Sequence, residues 1–464
     1  MSRSTVISGT VRAVSKVRDG MLCQLQNGLR HSHAVRSLDL DFCDHRAAFK
    51  HKNLSELFRA LVILRACGSN FLVDNCLKLF QMGRKVCGDR IVGSLLHPTI
   101  YAQFVAGFEE RDVATTAQNL RKLGLRFMLT PTLEEDVGES SDKQAKYDRN
   151  LEELLHLAEM VRMHGGDQPC LQAKVTALLS ADTLKVVSAA KENSGTPPVR
   201  MVEAIAEVMA GASATALDLP GISRIHQNNL FLAANRFRTL GTSASSKGLH
   251  LLVDAEWSYV NPACSLLTLA MMANFNRHSP AVGNTYQCYF NDIDKYIQED
   301  VEISRGMGAC FSAKVVRGAY LEKERLTVPE RLCASHSETG KNYDRAIDLI
   351  LNTVVCNQDK RCLLVIATHN EDSVKQAVRR LQELNIDPLA GHVAFAQIYG
   401  MAEQISMPLC RAGYTVYKAT PTGPLAQVLP YLARRVAENR GVLQGARKER
   451  ELLQKEIKFR LTAR

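Results

Sequence analysis

The sequence predicts an α/β fold built on a parallel sheet of eight strands, closed or doubly wound, with the number eight favouring a closed (βα)8 barrel. Two observations carry this expectation. Short, β-prone apolar runs recur eight times after residue 125, and most intervals between them show helical periodicity. The chain of 464 residues also has room for such a barrel with added helices, and its 46% hydrophobic and 23% charged residues exclude a mostly disordered protein.

From Met1 to Leu38 the basic residues are Arg3, Arg12, Lys16, Arg18, Arg30 and Arg36, against the single acid Asp19. Frequent Ser and Thr and the lack of a long apolar core give residues 1–38 the composition of a mitochondrial transit peptide, not of a secretory signal. A disordered basic tail is the plainer alternative. Residues 39–125 read as a helical arm. Leu54, Leu57, Leu61, Leu64, Leu77, Leu79 and Met82 recur at helical spacing, and a helix from Asp112 to Leu123 stops at Gly124.

The strand runs are Arg126–Leu129, Leu171–Leu178, Leu249–Asp254, Gly283–Tyr289, Ser312–Tyr320, Leu363–His369, His392–Ile398 and Tyr414–Lys418. Helical intervals include Asp372–Leu384 and Val428–Leu443. Two intervals are long for a simple βα unit. The charged stretch 134–169 and the Ser/Ala/Gly-containing stretch 181–247 read as insertions in a barrel spanning 126–440, and 441–464 reads as a C-terminal helix.

The net charge of +10 permits contact with nucleic acid or an anionic membrane. The basic residues are spread among acids, however, which argues against a nucleic-acid-binding patch. Thirteen scattered cysteines, with no C-x-x-C pair, favour free thiols in a reducing compartment and argue against a metal site. No stretch approaches eighteen apolar residues, the length needed to span a bilayer.

Chemistry-bearing residues cluster where the predicted strands end: Lys174, Asp254 before Ala255-Glu256, Gln287, Arg317-Gly318 and Thr368-His369. In a parallel barrel these ends open on one face, where barrel enzymes act. Taken singly, each is equally well the first solvated position after a strand; the conjunction is what points to a site. A second constellation is Tyr431-Leu-Ala-Arg-Arg-Val-Ala-Glu. On a helix Arg434, Arg435 and Glu438 can share one side, and two adjacent guanidiniums suit a bidentate carboxylate. A solvated helix face with an Arg–Glu pair is the plainer reading. The chain lacks G-x-G-x-x-G after a strand, G-x-x-x-x-G-K-[ST], H-E-x-x-H and G-x-S-x-G, so the common dinucleotide, phosphate-loop, zinc-protease and hydrolase readings lose support.

The segments Val253-Asp-Ala-Glu, Asn284-Thr-Tyr-Gln-Cys-Tyr, Lys314-Val-Val-Arg-Gly-Ala-Tyr-Leu, Ala367-Thr-His-Asn and Tyr431-Leu-Ala-Arg-Arg-Val-Ala-Glu-Asn-Arg closely resemble the proline dehydrogenase family, in its order and at compatible spacings. Weaker likeness reaches back through Ile100-Tyr-Ala-Gln-Phe-Val-Ala-Gly. The resemblance implies a distorted (βα)8 TIM-type barrel holding FAD without a dinucleotide-binding domain. It implies that Ala255, Gln287, Val316, Arg317, Gly318, Thr368, His369 and Glu438 serve the flavin. Lys174, Arg434, Arg435 and Tyr431 would bind the substrate, its carboxylate held by the three cations. Asp254 would order the site beside Lys174, with Lys314 near the flavin. Glu134 resembles the family acid that closes over the site by pairing with Arg434.

By the same resemblance, hydride passes from ring C5 to flavin N5 and electrons go on to quinone, implying contact with the matrix side of the inner mitochondrial membrane. At Ala419 many proline-specific members carry a tyrosine close to the substrate ring, whereas hydroxyproline-oxidising members carry a small residue. The tail from Val442 also resembles theirs. The implied substrate is therefore trans-4-hydroxy-L-proline, with L-proline poorer. A second departure is Thr130-Pro131, where relatives have Asp-Tyr. A proline dehydrogenase with a relaxed site and a non-catalytic imino-acid-binding barrel are the alternatives. The sequence sets no oligomeric state.

Overall fold

The β-prone runs become eight short strands: β1 (Arg126–Pro131), β2 (Cys170–Ala173), β3 (His250–Val253), β4 (Val282–Gln287), β5 (Ser312–Val316), β6 (Leu363–Ala367), β7 (Val393–Ile398) and β8 (Thr415–Thr422). In the computed structural model, which describes residues 40–133, 143–356, 362–438 and 443–463, each strand pairs with the next. The predicted transit segment 1–38 lies outside the described residues. β8 closes on β1 in parallel, from Arg126 opposite Tyr417 to Pro131 opposite Thr422. The sheet is thus a closed (βα)8 barrel.

Its strands are buried on both faces because both are covered, as in parallel sheets generally. The inner layer packs Met128, Cys170, Leu252, Val365, Ala394, Ala396 and Tyr417, so the lower barrel is filled and offers no channel. The apolar helix Asn261–Phe275 can be hydrophobic nearly all round because the helices Ala181–Asn193, Pro198–Ala210 and Arg224–Ser246 cover its outer side. Those three helices all lie between β2 and β3.

The structure corrects several expected boundaries. The run predicted to continue to Leu178 leaves the sheet after Ala173, and Val175–Ala177 form a 3-10 turn. The cause is local: the backbone N–H and hydroxyl of Thr176 both bond the Glu256 carboxylate, at 2.9 and 2.6 Å, which turns the chain across the end of β3. Likewise β5 stops at Val316, not Tyr320, and β8 continues to Thr422 because β1 offers partners that far. The charged stretch 134–169 was expected to be an insertion. Its described part contains the helix Lys143–His164, which buries Tyr147, Leu154, Leu157 and Val161 and packs on β1 and β2. This helix is the crossover of the first βα unit, since no other described helix joins those strands.

Both ends of the described chain pack together beside the barrel. Asn53 and Glu56 form a capping box that starts the helix Leu54–Cys67. Its buried Leu57, Ala60 and Leu64 meet Leu452, Leu453 and Ile457 of the helix Leu443–Thr462. Between that helix and β8 lies Lys418, fully buried on the outer face of its strand, with Nζ donating to Met401 O at 2.6 Å and 3.6 Å from Glu403 Oε2.

Candidate active site

Side chains alternate along β2, so Gln172 and Lys174 point the same way, into the barrel mouth. The same rule, with the turns after β3 and β5, brings Asp254, Lys314 and Val316 to that mouth. They line a cavity of about 470 Å³, in the range of ordinary ligand pockets. Also in its wall are Ala255, Gln287, Arg317, Gly318, Thr368 and His369, and towards its rim Ala419 and Tyr431. The predicted strand-end residues therefore do converge. Glu134 lies outside the described residues, as do the side chains of Arg434, Arg435 and Glu438, whose backbone belongs to the helix Leu425–Glu438 that carries Tyr431.

The polar groups form a stitched rim. Lys314 Nζ, almost buried, donates to Asp254 Oδ1 at 2.6 Å. Asp254 was expected to order the site beside Lys174: its N–H donates to the O of the preceding Ala173 at 2.9 Å, and its carboxylate meets the ammonium of Lys314. Lys174 Nζ donates to Tyr320 Oη at 3.1 Å, and the Tyr320 ring packs 4.3 Å from Trp257.

Gln287 Nε2 donates to Glu256 O at 2.9 Å, and its Oε1 accepts from Tyr289 Oη at 3.0 Å and Ala319 N at 2.9 Å. These contacts fix which way the amide faces. They also tie the end of β4 to the loops after β3 and β5. Burial pushes the Glu256 carboxyl up, a tendency that Lys174 opposes.

His369 accepts at Nε2 from Ile398 N–H at 2.9 Å, which leaves its proton on Nδ1. Burial, helped by the charge of Lys418, lowers its pKa to about 3, so the ring is a neutral donor at physiological pH. Gly318 has φ +133, and a Cβ there would lie 1.8 Å from the Tyr289 ring. The backbone can therefore run along the cavity wall at this point only without a side chain.

Arg317 decides what the cavity can hold. Nη2 donates to Ser373 Oγ at 2.9 Å, and the guanidinium lies 5.2 Å from the Tyr343 ring centroid. Its Nε and Nη1 are buried without a hydrogen-bond partner. Buried guanidinium N–H groups without acceptors are costly, and Nη1 lies against the helix His336–Ile350, where a Cβ on Gly340 would be 3.2 Å from it. With Lys174 and Lys314 nearby, this wall suits a ligand carrying negative charge. Residues 113–448 match the family model described as proline dehydrogenase.

The chain belongs to the proline dehydrogenase family.

Among its relatives, hydroxyproline dehydrogenase of Rattus norvegicus is 39% identical, over 90% of this chain and 94% of that protein. The Xenopus laevis protein of the same name is 37% identical, over 91% and 90%. Proline dehydrogenase 1, mitochondrial, of Homo sapiens is 29% identical over 91% and 90%. The barrel also resembles the crystal structure of proline utilization A from Bdellovibrio bacteriovorus inactivated by N-propargylglycine, with a TM-score of 0.58 at 18% identity. That match covers 84% of this chain but 38% of the bacterial protein. As a proline dehydrogenase family member the chain is an oxidoreductase acting on a CH–NH group.

Within this proline dehydrogenase cavity, sequence reasoning missed Tyr320, Gln172 and Gln397, and beside it Trp257, which packs on Tyr320. Tyr320 stood inside the quoted Arg-Gly-Ala-Tyr segment, and Trp257, the chain's one tryptophan, lies three residues after Asp254; both were signals in plain view. Gln172 left none, since its Nε2 donates to Met128 Sδ at 2.8 Å and its Oε1 accepts from Thr130 Oγ1 at 3.1 Å, contacts set by strand pairing.

Proposed function

We propose that this chain oxidises trans-4-hydroxy-L-proline, and L-proline more slowly, at ring C5 to the 1-pyrroline-5-carboxylate product, with FAD as acceptor. The electrons pass on to a quinone at the matrix side of the inner mitochondrial membrane. The observation that carries this reading is a cavity whose wall gathers the cations Lys174, Lys314, Arg317 and Arg325, which calls for negative charge in a ligand. An anionic cofactor and an anionic substrate answer that demand together.

FAD, when bound, supplies the hydride acceptor. Arg317, Gly318, Gln287, Thr368 and His369 are the groups to hold it: the guanidinium for negative charge, the bare glycine for close approach, and the neutral His369 Nδ1–H as a donor. Lys174, with Arg434 and Arg435 on the neighbouring helix, grips the substrate carboxylate. Fixing that end fixes which ring carbon faces the flavin, so binding energy becomes positioning. Lys314 is neutralised in part by Asp254, which leaves a positive but hydrogen-bonded group at the base of the site. The surrounding cations also disfavour a protonated ring nitrogen, which helps the substrate release the proton that must leave as C5 loses hydride.

Substrate preference rests on Ala419. The small side chain at the cavity wall leaves space where a tyrosine would crowd the ring. Gln172 lies one strand position below Lys174 on the same face, and its amide N–H, given to a thioether sulfur, has a better acceptor in a ring hydroxyl.

The test is spectroscopic. Purified protein is expected to be yellow and to bleach when trans-4-hydroxy-L-proline is added without oxygen, faster than with L-proline. Faster bleaching by L-proline would replace the substrate; a colourless protein that binds either amino acid without reaction would make this a binding barrel.

A further inference from the structure

The helical segment Asn70–Leu96 is 27 residues long, yet none of its described side chains is buried. Gly88, at φ 80 and ψ 160, breaks it into two legs. The break folds the second leg back: a Cβ on Gly83 would lie 3.4 Å from Val92 Cγ2, and Arg84 pairs with Asp89 across the bend, Nη2 to Oδ2 at 2.9 Å. The result is a short helical hairpin standing off the barrel.

Its exposed surface is apolar to an unusual degree. Phe71 is 67% exposed, Met82 57% and Val86 78% on the first leg, with Ile91 55% and Leu95 64% on the second. On the first leg Phe71, Leu72, Leu79, Met82 and Val86 fall within an arc of about 100° at helical pitch. Lys78 and Lys85 lie along one edge of that arc, and both are exposed. Arg90 adds a further exposed cation just past the bend.

An apolar arc with lysines at its border is the pattern of a helix lying in a membrane interface, where lysine stems run along the apolar face and their heads reach anionic headgroups. Two copies laid arc to arc in antiparallel sense would instead bring their Lys78 and Lys85 edges together. Among the described residues no helix is long and apolar enough to cross a bilayer, so the contact is superficial. The hairpin packs on the helix Leu425–Glu438, whose Tyr431 lines the cavity.

We infer that the Asn70–Leu96 hairpin docks this enzyme on an anionic lipid bilayer and so holds the cavity mouth near the membrane, where an apolar electron acceptor dissolves. The purpose of this docking rests on the proposed transfer of electrons to quinone; the lipid contact itself does not.

The test uses the full chain and vesicles of phosphatidylcholine, with or without phosphatidylglycerol, in a flotation assay. The unaltered protein is expected to float with the anionic vesicles. The double variant Met82→Glu/Val86→Glu is expected to lose at least tenfold in partitioning. Lys78→Glu/Lys85→Glu should lose most binding at low salt and little more at high salt. Because these side chains are exposed, thermal unfolding and anaerobic reduction by hydroxyproline should not change. Undiminished flotation of the Met82/Val86 variant overturns the inference, since the basic leader common to all variants would then do the binding. So does a chain that ignores vesicles but sediments as a dimer dissociated by those substitutions. Failure of hydroxyproline to bleach the protein would sink the functional reading while leaving the vesicle result standing.

Discussion

The proposed function puts two anions in the cavity and assigns Arg317 to the flavin. Arg317 lines the cavity with Gly318 and His336, on elements other than the helix Leu425–Glu438 that carries the paired arginines. Arg317→Met is therefore expected to release flavin during gel filtration while the protein stays folded. Arg435→Met should keep its flavin and raise KM for the imino acid by about two orders of magnitude, as loss of one charge-assisted pair implies. Retention of full flavin by Arg317→Met, measured from the ratio of visible to ultraviolet absorbance, would remove Arg317 from that role. Residues of this kind were legible in the sequence because their strands end where the polar residues begin. Partnerships were not. That Asp254 meets Lys314 depends on pairing between segments about sixty residues apart, and Gln172 became visible only once β1 and β2 were in register.

At the scale of elements, the helix Leu443–Thr462 does more than cover apolar surface. The helix Glu403–Arg411 begins at Ala402, in a left-handed conformation with no side-chain cap of its own. Glu449 supplies the cap from outside, accepting from Ala402 N–H at 3.0 Å and Glu403 N–H at 3.4 Å. Removing it by Glu449→Ala leaves buried donors without acceptors, so a loss of about 1–3 kcal/mol is expected in urea unfolding. Burial, with the charge of Glu403 adding to it, pushes the Glu449 carboxyl up to about 7 from 4.5. The neighbouring Glu403 would also rise on burial, but Lys418 and Lys52 hold it down at about 2.

The two acids act in opposite directions. Glu449 keeps a proton in the native state that the unfolded chain releases, so its contribution is fullest below 4.5 and fades as pH rises towards 7. Glu403 contributes above 4.5 and loses that contribution as pH falls towards 2. Glu449→Gln should therefore flatten the fall in Tm from about pH 5 to pH 7.5 relative to the unaltered protein, and parallel Tm profiles would contradict the assignment. The sequence showed a C-terminal helix but not this cap, because nothing local links Glu449 to Ala402. It also misread 134–169 as an insertion: the charges there are real, but Leu154, Leu157 and Val161 keep one face apolar, which is what a crossover helix needs.

For the whole molecule, closure is the feature that creates the site. Eight alternating runs suggested a parallel sheet, but only the pairing of β8 with β1, nearly three hundred residues apart, turns strand ends into a ring around one cavity. Everything proposed for function then depends on cations in that ring gripping a carboxylate so that the adjoining ring carbon is presented for oxidation. The direct measurement compares anaerobic flavin reduction by trans-4-hydroxy-L-proline with reduction by 3-hydroxypyrrolidine, the same ring without its carboxylate. The decarboxylated compound is expected to be slower by a factor on the order of 10³ in the apparent second-order rate, the loss expected when a clamp has nothing to hold. Reduction of the two compounds at equal rates would contradict it.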